Sequence, residues 1–148
     1  MTNPSEAYVR MIEQLPQRPP FRFVEQIDRY EAGQYLLASI RLQSVRGPMR
    51  CLPAFPEACV MEGLAQSAVL LVQLETGPLR EGEVPILGSL FMRQSKAVAW
   101  HETLRYEVKP IRLLASQARI EATAYAAGEV VAEGELSLAK IQTLTKGG

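Results

Sequence analysis

In the stretch VMEGLAQSAVLLVQL, residues 60–74, Glu62 is the one charged side chain. A carboxyl group in apolar surroundings is a candidate proton donor or acceptor. If the stretch is helical, Gln66 lies one turn beyond Glu62, and Gln73 two turns beyond Gln66, on the same face. The three then form a polar stripe, with Glu62 and Gln66 as the catalytic candidates on the floor of a narrow tunnel. In the plainer alternative, Glu62 satisfies backbone groups of a second subunit or stands in water at the helix mouth. Gln73 then faces solvent. Cys59, three residues before Glu62, needs a base or a positive field to act as a nucleophile. A helix N-terminus supplies a little of that field, but a small buried hydrophobe is the commoner role. Cys51 has no role that the sequence assigns. His101 is the single histidine. It follows Trp100 at a strand start, apart from the helix, and is expected to be structural or exposed.

The elements that position these residues are legible from punctuation and periodicity. Pro56 suits the first helical position, where its missing N–H has no partner to lose, and Gly77-Pro78 stops the helix. A helix is therefore predicted near 56–75. It is apolar nearly all round, the pattern of a helix wrapped by other structure. Upstream, a short helix at 5–15 is capped near Asn3 and ended by Pro16, and a stiff proline-rich PQRPPFRF follows. FRFVEQIDRY and QYLLASIRLQ read as a hairpin across Glu31-Ala32-Gly33. Downstream, PILGSLFMR, HETLRYEV, RLLASQARIEATAY and EVVAEGELSLAK read as strands. Their predicted inward sets are Leu104, Tyr106 and Val108; Leu114, Ser116, Ala118, Ile120, Ala122 and Ala124; and Val130, Ala132, Gly134, Leu136 and Leu138. Gly88 weakens its strand and can let a backbone or an apolar chain approach. One sheet burying one helix is an α+β arrangement, expected here as a single domain over 1–148. The open edges of such a sheet are commonly covered by a second copy.

The bulk numbers narrow the function classes. Sixteen basic residues balance sixteen acidic ones in 148 residues, and neither kind forms a block. Nucleic-acid binders usually carry an electropositive face, so no nucleic-acid partner is expected. Two cysteines and one histidine would leave a zinc site dependent on carboxylates, and no metal is expected. Without a phosphate-cradling or dinucleotide glycine pattern, no cofactor is expected either. The first 13 residues are polar and do not resemble a signal peptide. Glu62, Gln66 and Gln73 make the apolar helix too polar to be expected in a membrane. A cytoplasmic protein is the plain expectation.

Three pieces in order, LPQRPPF (15–21), EGLAQ (62–66) and GEVVAEGEL (128–136), resemble the LPHRxPFL, EALAQ and GELVAEAEL segments of the beta-hydroxyacyl-ACP dehydratase family. The resemblance spans roughly Leu15 to Lys140. It implies a hot-dog fold, in which a curved antiparallel sheet wraps one long central helix. It further implies a homodimer, or a heterodimer with a histidine-bearing paralogue, that binds acyl carrier protein or coenzyme A thioesters in tunnels between subunits. In that family a histidine of a GHFPG segment takes the proton alpha to the thioester carbonyl. The helix carboxylate of the facing subunit, matched by Glu62, assists departure of the beta-hydroxyl. Phe55, Cys59 and Gly88 would then line the substrate path. Arg93 and Lys96 would stand at its mouth, with Arg46, Arg50, Lys109 and Arg112 as further cations for an acidic carrier or phosphates.

This chain departs from the pattern in front of the helix. It has Ala54-Phe55-Pro56-Glu57 where HFPG would fall, in a shortened loop, and Gln17 where the opening segment often has histidine. It is in this respect similar to divergent dehydratase-like proteins of aryl polyene and other acyl-chain pathways, some of which are the less catalytic half of a pair. The expected function is a dehydratase-like acyl-thioester protein of fatty-acid or polyketide-type biosynthesis. The alternatives are a hot-dog thioesterase using the helix carboxylate and a non-catalytic acyl-binding subunit.

Overall fold

The computed structural model describes residues 4–143; the cap expected at Asn3 lies outside them. Helix α1 covers Pro4–Glu13, and strands β1 (Gln26–Glu31) and β2 (Tyr35–Arg41) form the expected hairpin. Two short 3-10 turns, Leu42–Val45 and Gly47–Met49, lead to the central helix α2, Glu57–Thr76. Pro56 stands just outside it, with extended ψ, as the N-cap. At the far end Gly77, at φ 98°, returns its N–H to the Gln73 carbonyl. Strands β3 (Glu83–Gln94), β4 (Thr103–Leu113), β5 (Gln117–Ala126) and β6 (Glu129–Gln142) complete one antiparallel sheet, ordered β1-β2-β4-β5-β6-β3.

Every residue of α2 from Gly63 to Gln73 is buried. The helix is long and apolar enough to pass for a membrane span, contrary to the expectation from its polar residues. Here it is the core element, packed mainly on β4 and β5. Leu104, Tyr106 and Val108 of β4, and Ala118, Ile120, Ala122 and Ala124 of β5, face it as alternation predicts. The long RLLASQARIEATAY segment, however, is not one strand. The chain turns at Leu114–Ser116, and Leu114 is half exposed. Val130 also points outward, because the β5–β6 register slips between Ala124 and Tyr125. The slip adds a residue on β6, so Val131 and Ala132 are both buried.

Tyr106 shows why position 63 carries glycine, where the resembling motif has alanine. A Cβ at Gly63 would stand 2.1 Å from the Tyr106 Oη and 2.4 Å from its Cζ. The ring is fully buried, so it has nowhere to retreat. Alanine normally adds up to about 1 kcal/mol to a helix relative to glycine, whereas overpacking costs about 1–3 kcal/mol. A contact this short puts the balance on the side of overpacking. Gly63→Ala is expected to lower the unfolding free energy by about 2 kcal/mol, read from the urea midpoint. A midpoint that rises instead would show that the ring yields.

Candidate functional site

Glu62 lies in the second turn of α2, and its Oε1 accepts two carboxamide N–H groups. Gln17 Nε2 and Gln66 Nε2 each donate at 3.2 Å. Oε2 has no hydrogen-bond partner among the described residues. Gln66 is 1% exposed and its carboxamide is committed on both sides. Its Oε1 accepts the Phe23 N–H at 2.8 Å, and its Nε2 also donates to the Phe21 carbonyl at 3.0 Å. One side chain thus ties the segment Pro16–Phe23 across the helix as a strap and steadies Glu62. The strap is anchored by buried Leu15, Phe23 and Val24. Arg22 ties it to itself and to the end of α1, donating from Nε to the Gln17 carbonyl and from Nη2 to the Glu13 carbonyl, both at 3.1 Å.

Beside Glu62 opens a cavity of about 140 Å³. Its walls are Pro16 and Gln17 of the strap, Ala65, Gln66 and Val69 of α2, Pro85 and Leu87 of β3, and Leu138 of β6. An acid at the wall of a small space lined by both polar and apolar groups, with one oxygen held by two amides, is equipped for proton transfer to a bound ligand. The Oε1 of Gln17 is itself buried without a partner, so this carboxamide is spent chiefly on Glu62.

The structure brings together Glu62 and Gln66 from the sequence candidates, and adds Gln17. The only signal for Gln17 in the sequence was its place in the LPQR segment. Of the other candidates, none lines this cavity. Phe55 is 2% exposed in an aromatic core cluster, edge-on to Phe23 at 5.5 Å and to Trp100 at 5.6 Å. Cys59 is half-buried, with Sγ 4.0 Å from Met49 Sδ. Burial, and then the negative charge of Glu62, push its thiol above the usual cysteine range, which opposes a nucleophilic role. Gly88 sits in a bulge between Leu87 and Ser89, where a Cβ would stand 2.9 Å from Ser137 Oγ. It serves the β3–β6 contact. Arg93 is exposed opposite Glu133, and Lys96 forms a surface ion pair with Glu129. His101 is 79% exposed, its Nε2 3.8 Å from Glu102 Oε1. Gln73 is buried rather than solvent-facing. Among the described residues, no three of His, Cys, Asp or Glu converge as a metal site requires.

One antiparallel sheet around one central helix, with a carboxylate in that helix, defines a hot-dog fold of the dehydratase and thioesterase kind. The dehydratase heterocomplex ApeI:P from Xenorhabdus doucetiae shares it with a TM-score of 0.69 at 13% identity, over 91% of each chain. A hypothetical thioesterase protein with coenzyme A from Streptococcus pneumoniae does so with a TM-score of 0.60 at 9% identity, over 81% of this chain and 88% of that one. At these identities the likeness is one of fold. No family model matches the chain. In sequence, the 3-hydroxyacyl-(acyl-carrier-protein) dehydratase FabZ of Aliivibrio fischeri is 30% identical over 133 residues, covering 86% of this chain and 89% of that protein. The chain belongs to the FabZ dehydratase family.

Proposed function

We propose that this protein binds an acyl thioester, on acyl carrier protein or coenzyme A, with the beta carbon of the acyl chain beside Glu62. In this reading it acts in dehydration of 3-hydroxyacyl groups as the acid-bearing half of a composite cytoplasmic site. The observation that carries the reading is the Glu62 carboxylate, held by Gln17 and Gln66 at the wall of a small cavity. Loss of water requires a base to take the alpha proton while an acid protonates the leaving hydroxyl. The C–O bond then breaks, the alpha–beta double bond forms, and water departs with the proton of Glu62. The described residues around Glu62 offer the acid and no histidine base, and His101 faces solvent. A second subunit is the natural source of that base.

The sheet also supplies a place for that subunit. Among the described strands β3 is an edge, paired with β6 alone, and it exposes Ile86, Leu87 and Phe91, the last to 75%. A long apolar edge of this kind invites a further strand. Leu87 belongs both to this edge and to the Glu62 cavity, so a partner seated there would close the cavity. The partner is a second copy or a histidine-bearing relative.

The test combines mass and turnover. The purified chain is expected to sediment as a two-chain particle. It should form enoyl product from a 3-hydroxyacyl thioester slowly alone, and at least about a hundredfold faster with a histidine-bearing partner. Release of free thiol instead of enoyl product would assign thioester hydrolysis, which a lone carboxylate can support without histidine. Neither binding nor turnover of any acyl thioester would overturn the reading altogether.

A further inference from the structure

Glu62, Gln66, Val69 and Gln73 follow one another at helical spacing and share one face of α2. Val69 is the single apolar member of that stripe. It also stands at a boundary. The cavity of about 140 Å³ beside Glu62 has Val69, Pro85 and Leu138 among its walls. The same three residues wall a second cavity further along the helix, which reaches Val72, Gln73 and Leu114 but holds only about 10 Å³. That is at the lower limit for a single water molecule. Val69 and Leu138 are 8% and 6% exposed, and the ring of Pro85 cannot swing aside as an open side chain would. Gln73 lies beyond, 8% exposed and without a side-chain hydrogen bond among the described residues. Glu62 and Gln73 are separated by roughly 16 Å of helix, so an alkyl chain that follows α2 toward Gln73 meets the Val69 constriction on the way.

We infer that Val69, backed by Pro85 and Leu138, is a specificity-determining residue that restricts this site to short acyl chains. The inference rests on the reading of the Glu62 cavity as an acyl-thioester site. Short here means a chain that ends before Val69, as a four-carbon one does, and the excluded class is the long saturated chain that would reach past it. The residues that wall the two cavities act by volume, and a misfit of even one methylene in an apolar pocket changes selectivity about tenfold or more.

The experiment measures Kd of the full-length protein for 3-hydroxybutyryl-CoA and 3-hydroxydodecanoyl-CoA. The wild type is expected to prefer the four-carbon thioester at least about tenfold. Val69→Ala joins the two cavities and should shrink that preference about tenfold, through tighter binding of the long chain. Val69→Ile narrows the Glu62 cavity at that wall and should weaken 3-hydroxybutyryl-CoA relative to acetyl-CoA. It carries the test if the alanine variant does not fold. Equal or tighter wild-type binding of the long chain overturns the gate and leaves the acyl-thioester site standing. So does a ratio indifferent to both substitutions. Failure of every thioester to bind overturns the acyl-site reading, and the gate with it.

Discussion

Glu62→Gln is expected to lower kcat for acyl-thioester conversion by at least about a hundredfold, with KM changed no more than a few fold. Glutamine keeps the size of the side chain, and its amide oxygen can still accept from Gln17 Nε2 and Gln66 Nε2, the two donors that hold Oε1. The strap, the cavity wall and the helix therefore survive the change. What the variant loses is a proton that can be given up and recovered. An effect confined to the chemical step is the mark of a group that transfers a proton, whereas a structural role would raise KM or lower stability. The comparison is made on the assembled particle, with any histidine-bearing partner present, so that the base is not limiting. An unchanged kcat would remove Glu62 from the mechanism.

The largest expected stability effect is at Gln66. Gln66→Leu removes the acceptor of the Phe23 N–H and the donor to the Phe21 carbonyl, as well as one of the two donors to Glu62. Leucine fills the space with apolar atoms but leaves these backbone groups without their partners. An unsatisfied buried polar group costs about 1–3 kcal/mol; the Phe23 N–H is buried and the bond to the Phe21 carbonyl partly so, and the variant is expected to unfold about 3 kcal/mol more easily. Exposed ion pairs such as Arg29–Glu31 contribute about 0–1 kcal/mol each, so their removal provides a scale for comparison. Urea unfolding reads the loss, and Gln66→Glu refines it. Glutamate keeps an acceptor for the Phe23 N–H but sets a second carboxylate against Glu62. It should recover part of the stability and little of the turnover. A Gln66→Leu protein as stable as the wild type would show that the strap is held by its hydrophobic anchors alone.

Gln66 also marks the boundary between what the sequence announced and what folding made of it. Its place on the Glu62 face followed from helical spacing, and the structure bears that out. Its role did not follow. The carboxamide is engaged by the backbone at Phe21 and Phe23 as well as by Glu62, so it holds the strap and steadies the carboxylate at once. Gln17 reaches Glu62 across 45 residues of chain, a separation that no local pattern encodes. The PQRPPFRF segment was legible as stiff, but nothing in it said that it would cross α2 rather than run alongside the sheet. Similarly, Phe55 stands where the family's HFPG segment would fall, yet its ring packs between Phe23 and Trp100. Only their convergence in space could show that.

By itself the sequence determined the architecture. The all-round apolar pattern of residues 57–76 required a wrapped helix, and the alternation in β4, β5 and most of β6 required one sheet to wrap it. Both follow from burial operating through the fixed periods of helix and strand. The tertiary structure decided where the strands turn and slip, at Leu114–Ser116 and at Ala124/Tyr125, because register depends on paired strands rather than on either strand alone. It also decided the site. Which amides hold Glu62, and that Val69, Pro85 and Leu138 divide the space beside it, depend on contacts between distant segments. Those distances are set when the whole core packs and are not encoded in the spacing of any one segment.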